Sequence, residues 1–328
     1  MDWLALAFMQ RALLAALITG VTAPAIGTYL VQRRLSLLGD GLGHLAVAGV
    51  GLAILTGTAP LPLAIVICVL GSIGIELMRE SGRASGDVGL AILFYGGLSG
   101  GLLLAGLAGQ GAGTLSAYLF GSLLTVATGD LWAIAGLGLV VLVVAVGLMP
   151  QLFTVSADEA FARSIGLPVR LLNILVVSLA AVTVTVSMRT VGLLLVSALM
   201  VVPVATANQV MIGFRRGLFA SMGLGAIAAV TGTVGSFYLN TAPGSLIVVI
   251  AIVLFVLSWP LARALQRRNR PIIEVTDDLA PVSHDLTEPH PHVHNEQCGH
   301  QPVQHAGHVD YIHDGHRHAA HGDHYDEH

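Results

Sequence analysis

The chain contains no lysine; all 15 of its basic residues are arginine. A phosphate loop of the Gly-Lys-Ser/Thr type needs that lysine to hold nucleotide phosphates. The chain is therefore no P-loop ATPase by itself, and a lysine Schiff-base enzyme is excluded as well. Cysteine is nearly absent too. Cys68 falls in an apolar run and Cys298 near the end, which gives no disulfide framework. Charged residues make up 10% of 328 positions, against 55% hydrophobic ones. That balance, arranged in long runs, is far too apolar for a soluble protein and reads as an all-α, polytopic integral membrane protein. The opening residues MDWLALAFMQR lack a basic region and a small-residue cleavage site, so no removable signal peptide is expected.

The scarce charge is unevenly shared. Residues 1–270 hold 14 Arg and 8 Asp/Glu, a balance of +6, while residues 271–328 hold one Arg and 11 Asp/Glu, a balance of −10. Two domains follow: a transmembrane domain over 1–270 and a polar, acidic, His-rich tail over 271–328, which reads as disordered without ligand. Apolar runs long enough to cross a bilayer lie at 12–31, 40–57, 59–78, 88–108, 131–149, 170–187, 191–212, 217–239 and 244–263. Residues 114–127 are apolar but short and read as an interfacial or re-entrant helix. Twelve arginines then fall on one side, in the segments following the first, third, fifth, seventh and ninth runs. By the positive-inside rule that side is the cytoplasm, with the N-terminus outside and the C-terminus inside. The 39 glycines suit close helix packing, and no internal repeat stands out.

Four constellations could carry chemistry. Asp40 and His44 lie four apart in GDGLGHLAVAGVG and share one face of a helix. Ionisable groups at membrane depth are costly and face cavities or bundle interiors. Carboxylate plus imidazole suits Zn(II), and also Mn(II) or Fe(II). Val47 and Gly51 continue that face and would leave room for an ion. Alternatively Asp40 caps the helix and His44 is a satisfied interior residue. The loop SADEAFARSIGLPVR predicts a short helix opened by Asp158 and Glu159 and ended by Gly166 before Pro168. Ala160, Phe161 and Ile165 would form its docking face, if it is more than a surface loop. In GLLLVSALMVVPVATA, Pro203 removes a backbone hydrogen bond and kinks or breaks the span. Ser197, Thr206 and Asn208 could line a path there, or simply pack. Last, the tail carries 13 of the 14 histidines. Among them His290, His292, His294, His300, His305, His308, His313, His316, His318, His321, His324 and His328 read as ligands for zinc or a similar ion, with no set stoichiometry. Of the remaining acids, Asp130 reads as the cap of the fifth span, and Glu76 as interfacial or paired with an arginine.

The segments LSLLGDGLGHLAVAGVGLA, YLFGSLLTVATGDLW, DEAFARSIGLPVRLLN and VGLLLVSALMVVPVATA occur in this order. With them the chain, from about residue 10 to 265, resembles the membrane permease of zinc, manganese and iron ABC importers, most like that of high-affinity zinc uptake systems. The resemblance implies a bacterial plasma-membrane subunit that works by alternating access, with no permanently bound cofactor and no catalytic centre of its own. It implies two permease copies, cytoplasmic ATP-binding-cassette subunits and an extracytoplasmic metal-binding protein as partners; nothing points to nucleic acid. It assigns an ion-path role to Asp40 and His44 and an ATPase-coupling role to Asp158, Glu159, Ala160 and Gly166. This chain departs from the family pattern at Gly43 and Leu45 beside the histidine, and in having no proline shortly after it. Two other readings compete with this one, a proton-coupled secondary metal transporter and a membrane metal sensor.

Overall fold

The structure is a computed structural model that describes residues 6–82, 86–109, 128–268, 298–305, 308–313, 316–321 and 324–327. The helix expected over 114–127 and the histidines at 290, 292, 294 and 328 lie outside the described residues. The chain divides into two compact units, Met1–Arg268 and Asn269–His328.

Among the described residues of the first unit every regular element is a helix. Its elements are α1 (Ala7–Gln32), α2 (Leu38–Thr56), α3 (Pro60–Glu80), α4 (Gly86–Leu107), α5 (Thr128–Gly147), α6 (Met149–Ala157), α7 (Glu159–Ser164), α8 (Val169–Val191), α9 (Leu193–Val210), α10 (Phe214–Leu239) and α11 (Pro243–Arg268). Eight of these are long and apolar enough to cross a bilayer; α9, the remaining expected span, is shorter. In lipid every backbone polar group must be paired internally, which is why the apolar runs become uninterrupted helices. Their ends follow local chemistry. Pro60 occupies the first turn of α3, where a missing N–H costs nothing. Gly57 and Asn240 end α2 and α10 in the left-handed conformation.

Three boundaries differ from expectation. The fifth span ends at Gly147, two residues before the expected 149, and a separate short helix, α6, with Pro150 in its first turn, follows where no helix was expected. Asp130 sits within the first described turn of α5, where its charge faces the positive end of the helix dipole. Pro203 does not break its span; α9 runs through it, and the interruption falls at Gly192 (φ 87°) between α8 and α9.

Helices α1 and α8 form the centre, each 72% buried along its most apolar stretch, whereas α3, α5 and α11 are 22% buried and turn apolar surface outward. Leu70, Leu139, Val143 and Leu257 are among the exposed residues of these outer helices. Glycine lets the central helices meet backbone to backbone. A Cβ on Gly27 of α1 would strike the carbonyl oxygen of Met200 in α9, and one on Gly225 of α10 would strike that of Gly20 in α1.

The second unit corrects the expectation of a wholly disordered tail. Strands β1 (Gln301–His305), β2 (His308–His313), β3 (His316–His321) and β4 (His324–Glu327) pair in that order as an antiparallel meander. Composition hid this, because the polar count outweighs the punctuation. Successive strands are separated by Ala306-Gly307, Asp314-Gly315 and Gly322-Asp323. Two-residue, glycine-containing spacers of this kind are a hairpin signal.

Candidate functional site

Helix α2 begins at Leu38 and takes Leu37 as its N-cap, without a side-chain cap. Asp40 is therefore not the cap. It lies in the first turn, where a carboxylate is stabilised by the helix dipole. Its side chain stays about one-third exposed, and His44, one turn on, is buried. The nearest Asp40 oxygen lies 3.9 Å from His44 Nε2, too far for a hydrogen bond. One ion about 2.0–2.2 Å from each donor would fit that separation.

The rest of the histidine's surroundings come from α4. The Phe94 ring packs edge-on against the imidazole with centroids 4.1 Å apart. Gly97 sits so close that a Cβ there would lie 2.5 Å from the His44 carbonyl carbon. His44 Nδ1 is buried and has no hydrogen-bond partner. Such an atom costs about 1–3 kcal/mol, so His44 is not the satisfied interior residue that the alternative reading required. The room expected beside Val47 and Gly51 does not exist. Val47 is 1% exposed, and a Cβ on Gly51 would meet the Gly101 carbonyl oxygen at 2.6 Å. The small residues admit the α4 backbone instead of an ion. Gly97→Ala is thus expected to lower stability by about 1–3 kcal/mol through overpacking. Gly96→Ala, whose Cβ would meet nothing within 4 Å, should leave the thermal midpoint unchanged or slightly raised.

Helix α9 borders the same end of α2. Gly39 faces Met200 Sδ and the Ser197 backbone, and Gly43 faces the Leu193 side chain. Of the path residues expected on α9, Ser197 is the one beside Asp40's neighbour, and its hydroxyl donates to the Leu193 carbonyl at 3.2 Å. Thr206 is buried and its hydroxyl donates to Val202 at 2.7 Å; Pro203 is buried and Asn208 exposed. No described contact brings these three to the Asp40–His44 pair. Among the described side chains no group of three or more His, Cys, Asp or Glu gathers as a metal site.

The expected short helix is present as α7. Asp158 caps it by accepting the Phe161 N–H at 2.9 Å, and Gly166 follows with φ 81°. Ala160, Phe161 and Ile165 are all exposed. Behind α7 lies an ion network that only partly shows in the sequence. Glu76, 4% exposed, accepts from Arg33 at 2.9 Å and from Arg79 at 2.8 Å. Glu159 accepts from Arg79 at 2.8 Å and Asn173 at 3.0 Å, with Arg33 3.5 Å away. The network ties α7 to the ends of α1 and α3 and to α8. Burial would raise the Glu159 pKa, but the hydrogen bond and charge of Arg79, the Asn173 amide and the charge of Arg33 outweigh it and hold the carboxyl below its usual range.

The ABC 3 transport family matches residues 5–262. The manganese import system permease protein ScaB of Streptococcus parasanguinis is 33% identical over 263 residues, covering 80% of this chain and 93% of that protein. The manganese transport system membrane protein MntC of Halalkalibacterium halodurans is 30% identical over 257 residues, covering 78% of this chain and 88% of the relative. Among solved structures, PsaBC from Streptococcus pneumoniae in complex with Fab matches with a TM-score of 0.72 at 30% identity, over 81% of this chain and 97% of that one. The family match ends before the second unit begins.

Proposed function

This chain belongs to the ABC 3 transport family, and from that premise we propose that it is the membrane permease of an ATP-driven importer of a divalent transition metal, manganese first and zinc second. The observation that carries the reading is the Asp40–His44 pair, a carboxylate and an imidazole 3.9 Å apart with a buried unpaired ring nitrogen beside them. One carboxylate and one imidazole accept Mn(II) and Zn(II) alike. The sequence reading put zinc first; the names of the two relatives favour manganese. Two donors make an incomplete shell, strong enough to draw an ion and weak enough to release it.

The remaining parts take their places around that pair. The permease sits in the plasma membrane as a pair of copies, with its N-terminus outside and its C-terminus in the cytoplasm. An extracytoplasmic binding protein delivers the ion. Cytoplasmic ATPase subunits press on Ala160, Phe161 and Ile165 of α7, and the Glu76–Arg33–Arg79–Glu159 network passes the movement to α1 and α3. The tail imidazoles take up the same class of ion on the arrival side.

The test is reconstitution of the permease with its ATPase in vesicles, measuring Mn(II) uptake with Zn(II) as competitor. ATP-dependent Mn(II) accumulation that Zn(II) slows is the expected result. Uptake driven by a proton gradient without ATPase would overturn this reading in favour of a secondary transporter.

A further inference from the structure

The arginines at one end of the helical unit fall into two groups. Arg33 and Arg79 pair with Glu76, Arg79 and Arg163 with Glu159, and Arg170 with Glu80. Arg215, Arg216 and Arg263 are exposed, and among the described residues no carboxylate pairs with them. Both groups lie at the same end. Phe214 packs on Tyr29 of α1 with ring centroids 5.4 Å apart and on Phe153 of α6 at 4.5 Å, and Arg33 follows Tyr29 by one turn. With Phe214 held inward against those rings, the next two side chains, Arg215 and Arg216, stay outside. Local helix stability does not account for them. They occupy the first turn of α10, the positive end of the helix dipole, where a cation is unfavourable. The same helices turn apolar stripes outward. On α10, Arg216, Phe219, Gly223 and Ile227 are exposed and share one face. A Cβ on Gly223 would meet nothing within 4 Å, so the stripe is notched between two bulky residues. On α11, Ile252, Val256, Trp259 and Arg263 are likewise exposed on one face. The Arg263 guanidinium lies over the Trp259 ring, 5.1 Å from its centroid. The two helices form an antiparallel hairpin in which Gly232 faces Ile247 and Gly235 faces Leu246. Continued along both helices, that register brings Arg216 level with the turn that carries Arg263. Ser258 of α11 donates to Gln209 at 2.9 Å and holds the end of α9 there as well.

We propose that this end of the α10–α11 hairpin binds an anionic phospholipid. Arg216 and Arg263, with Arg215 beside them, hold its phosphate, and its acyl chains lie along the outward stripes. Guanidinium groups offer paired N–H donors that match phosphate oxygens. An exposed tryptophan settles at the level of lipid headgroups, and here its ring carries one of the arginines. Arginine stems lie along apolar surface while their heads reach the headgroup layer. A stripe that starts one turn from an arginine therefore suits a molecule in which charge and hydrocarbon are joined. A soluble acidic partner would use the charge and leave the stripes uncovered. The site needs only that α10 and α11 cross the bilayer, for which both are long and apolar enough. It stands apart from which ion the chain carries.

Trp259 makes the site observable. With Trp3→Phe and Trp132→Phe in the full chain, it is the remaining tryptophan. That chain is reconstituted in phosphatidylcholine vesicles containing a small, equal fraction of either phosphatidylglycerol or phosphatidylcholine with brominated acyl chains, and quenching of Trp259 is measured. The brominated phosphatidylglycerol is expected to quench at a mole fraction lower by about tenfold or more. Each of Arg215→Gln, Arg216→Gln and Arg263→Gln should reduce that preference by up to about fivefold, the worth of one basic side chain near an anionic surface. The three together should remove it. Arg34→Gln, which changes an exposed arginine in the connection after α1, should leave it intact. Equal quenching by the two lipids overturns the proposal. So does a preference that survives the triple change, or one that Arg34→Gln lowers as much as Arg263→Gln, because bulk surface charge then explains it. Displacement of the lipid by soluble glycerol phosphate would assign the arginines to a free phosphate. Loss of the preference once ATPase subunits are bound would assign them to that partner. Either result overturns the lipid site.

Discussion

His44→Phe is expected to abolish ATP-dependent metal uptake while leaving the permease as stable as before or more so. The two effects part company because of one atom. His44 Nδ1 is buried without a partner, and a polar atom in that state costs about 1–3 kcal/mol. Phenylalanine keeps the ring against Phe94 and removes the unpaired nitrogen, so the thermal midpoint should hold or rise. It also removes the Nε2 that stands 3.9 Å from the Asp40 carboxylate. Loss of even an outer-shell partner of a metal typically costs about 10–100-fold, so loss of a direct ligand should lower uptake by on the order of a hundredfold or more. Asp40→Asn should do the same from the other side of the pair. If Asp40 served only the helix dipole, that change would cost less than about 1 kcal/mol and uptake would survive. Normal uptake in either variant, in vesicles carrying the ATPase, would remove the pair from the ion path.

Glu76→Ala should produce the largest loss of stability on the cytoplasmic side of the proposed topology. Arg33 and Glu76 are each 4% exposed and bonded at 2.9 Å. Removing one partner of a buried pair costs about 3–5 kcal/mol, mostly because the other charge is left uncompensated. Arg33 is already demanding, since its Nη1 is buried with no partner. Glu159→Ala should cost less, because its side chain is about one-third exposed and solvent screens it. The Glu159 contribution depends on pH. The Glu159 pKa is lowered from the usual 4.5, so its contribution is complete above that value and fades as pH falls toward the folded-state pKa. Thermal midpoints measured from neutral pH downward should therefore drop less steeply below about 4.5 in Glu159→Gln than in the unaltered chain. Identical slopes would show that Arg79 and Asn173 do not hold the carboxylate.

The helices were legible because lipid leaves the backbone no alternative: an apolar run of sufficient length must close its own hydrogen bonds. The short helix α7 was legible as well, since Asp158 and Gly166 mark its ends chemically. What lay beyond reach were contacts between distant segments. Glu76 was expected either at the interface or beside an arginine, but nothing local points to Arg33, 43 positions away, or links Arg79 to Glu159, 80 positions on. Val47 and Gly51 were read as making space, because a sequence shows the absence of a side chain and not the neighbour that fills it. Phe94 and Met200 carried no signal that would set them apart from other apolar residues of their spans. The tail failed differently. Its polarity was weighed over the whole segment, while its structure is written in glycine-containing pairs eight residues apart.

The glycine contacts also constrain how this sequence can drift. Every single-base change of a glycine codon that alters the residue adds a Cβ. At Gly27, Gly97, Gly101 and Gly225 that atom would collide with backbone of a facing helix, so no one-step substitution there is silent in the fold. Such positions can change only together with the segment they touch, by a shift of a whole helix or a compensating change on its neighbour. Gly74, Gly96 and Gly106 meet nothing within 4 Å and carry no such coupling. Two classes of glycine, adjacent in the chain at Gly96 and Gly97, thus evolve under different rules, set by which of them lie between helices.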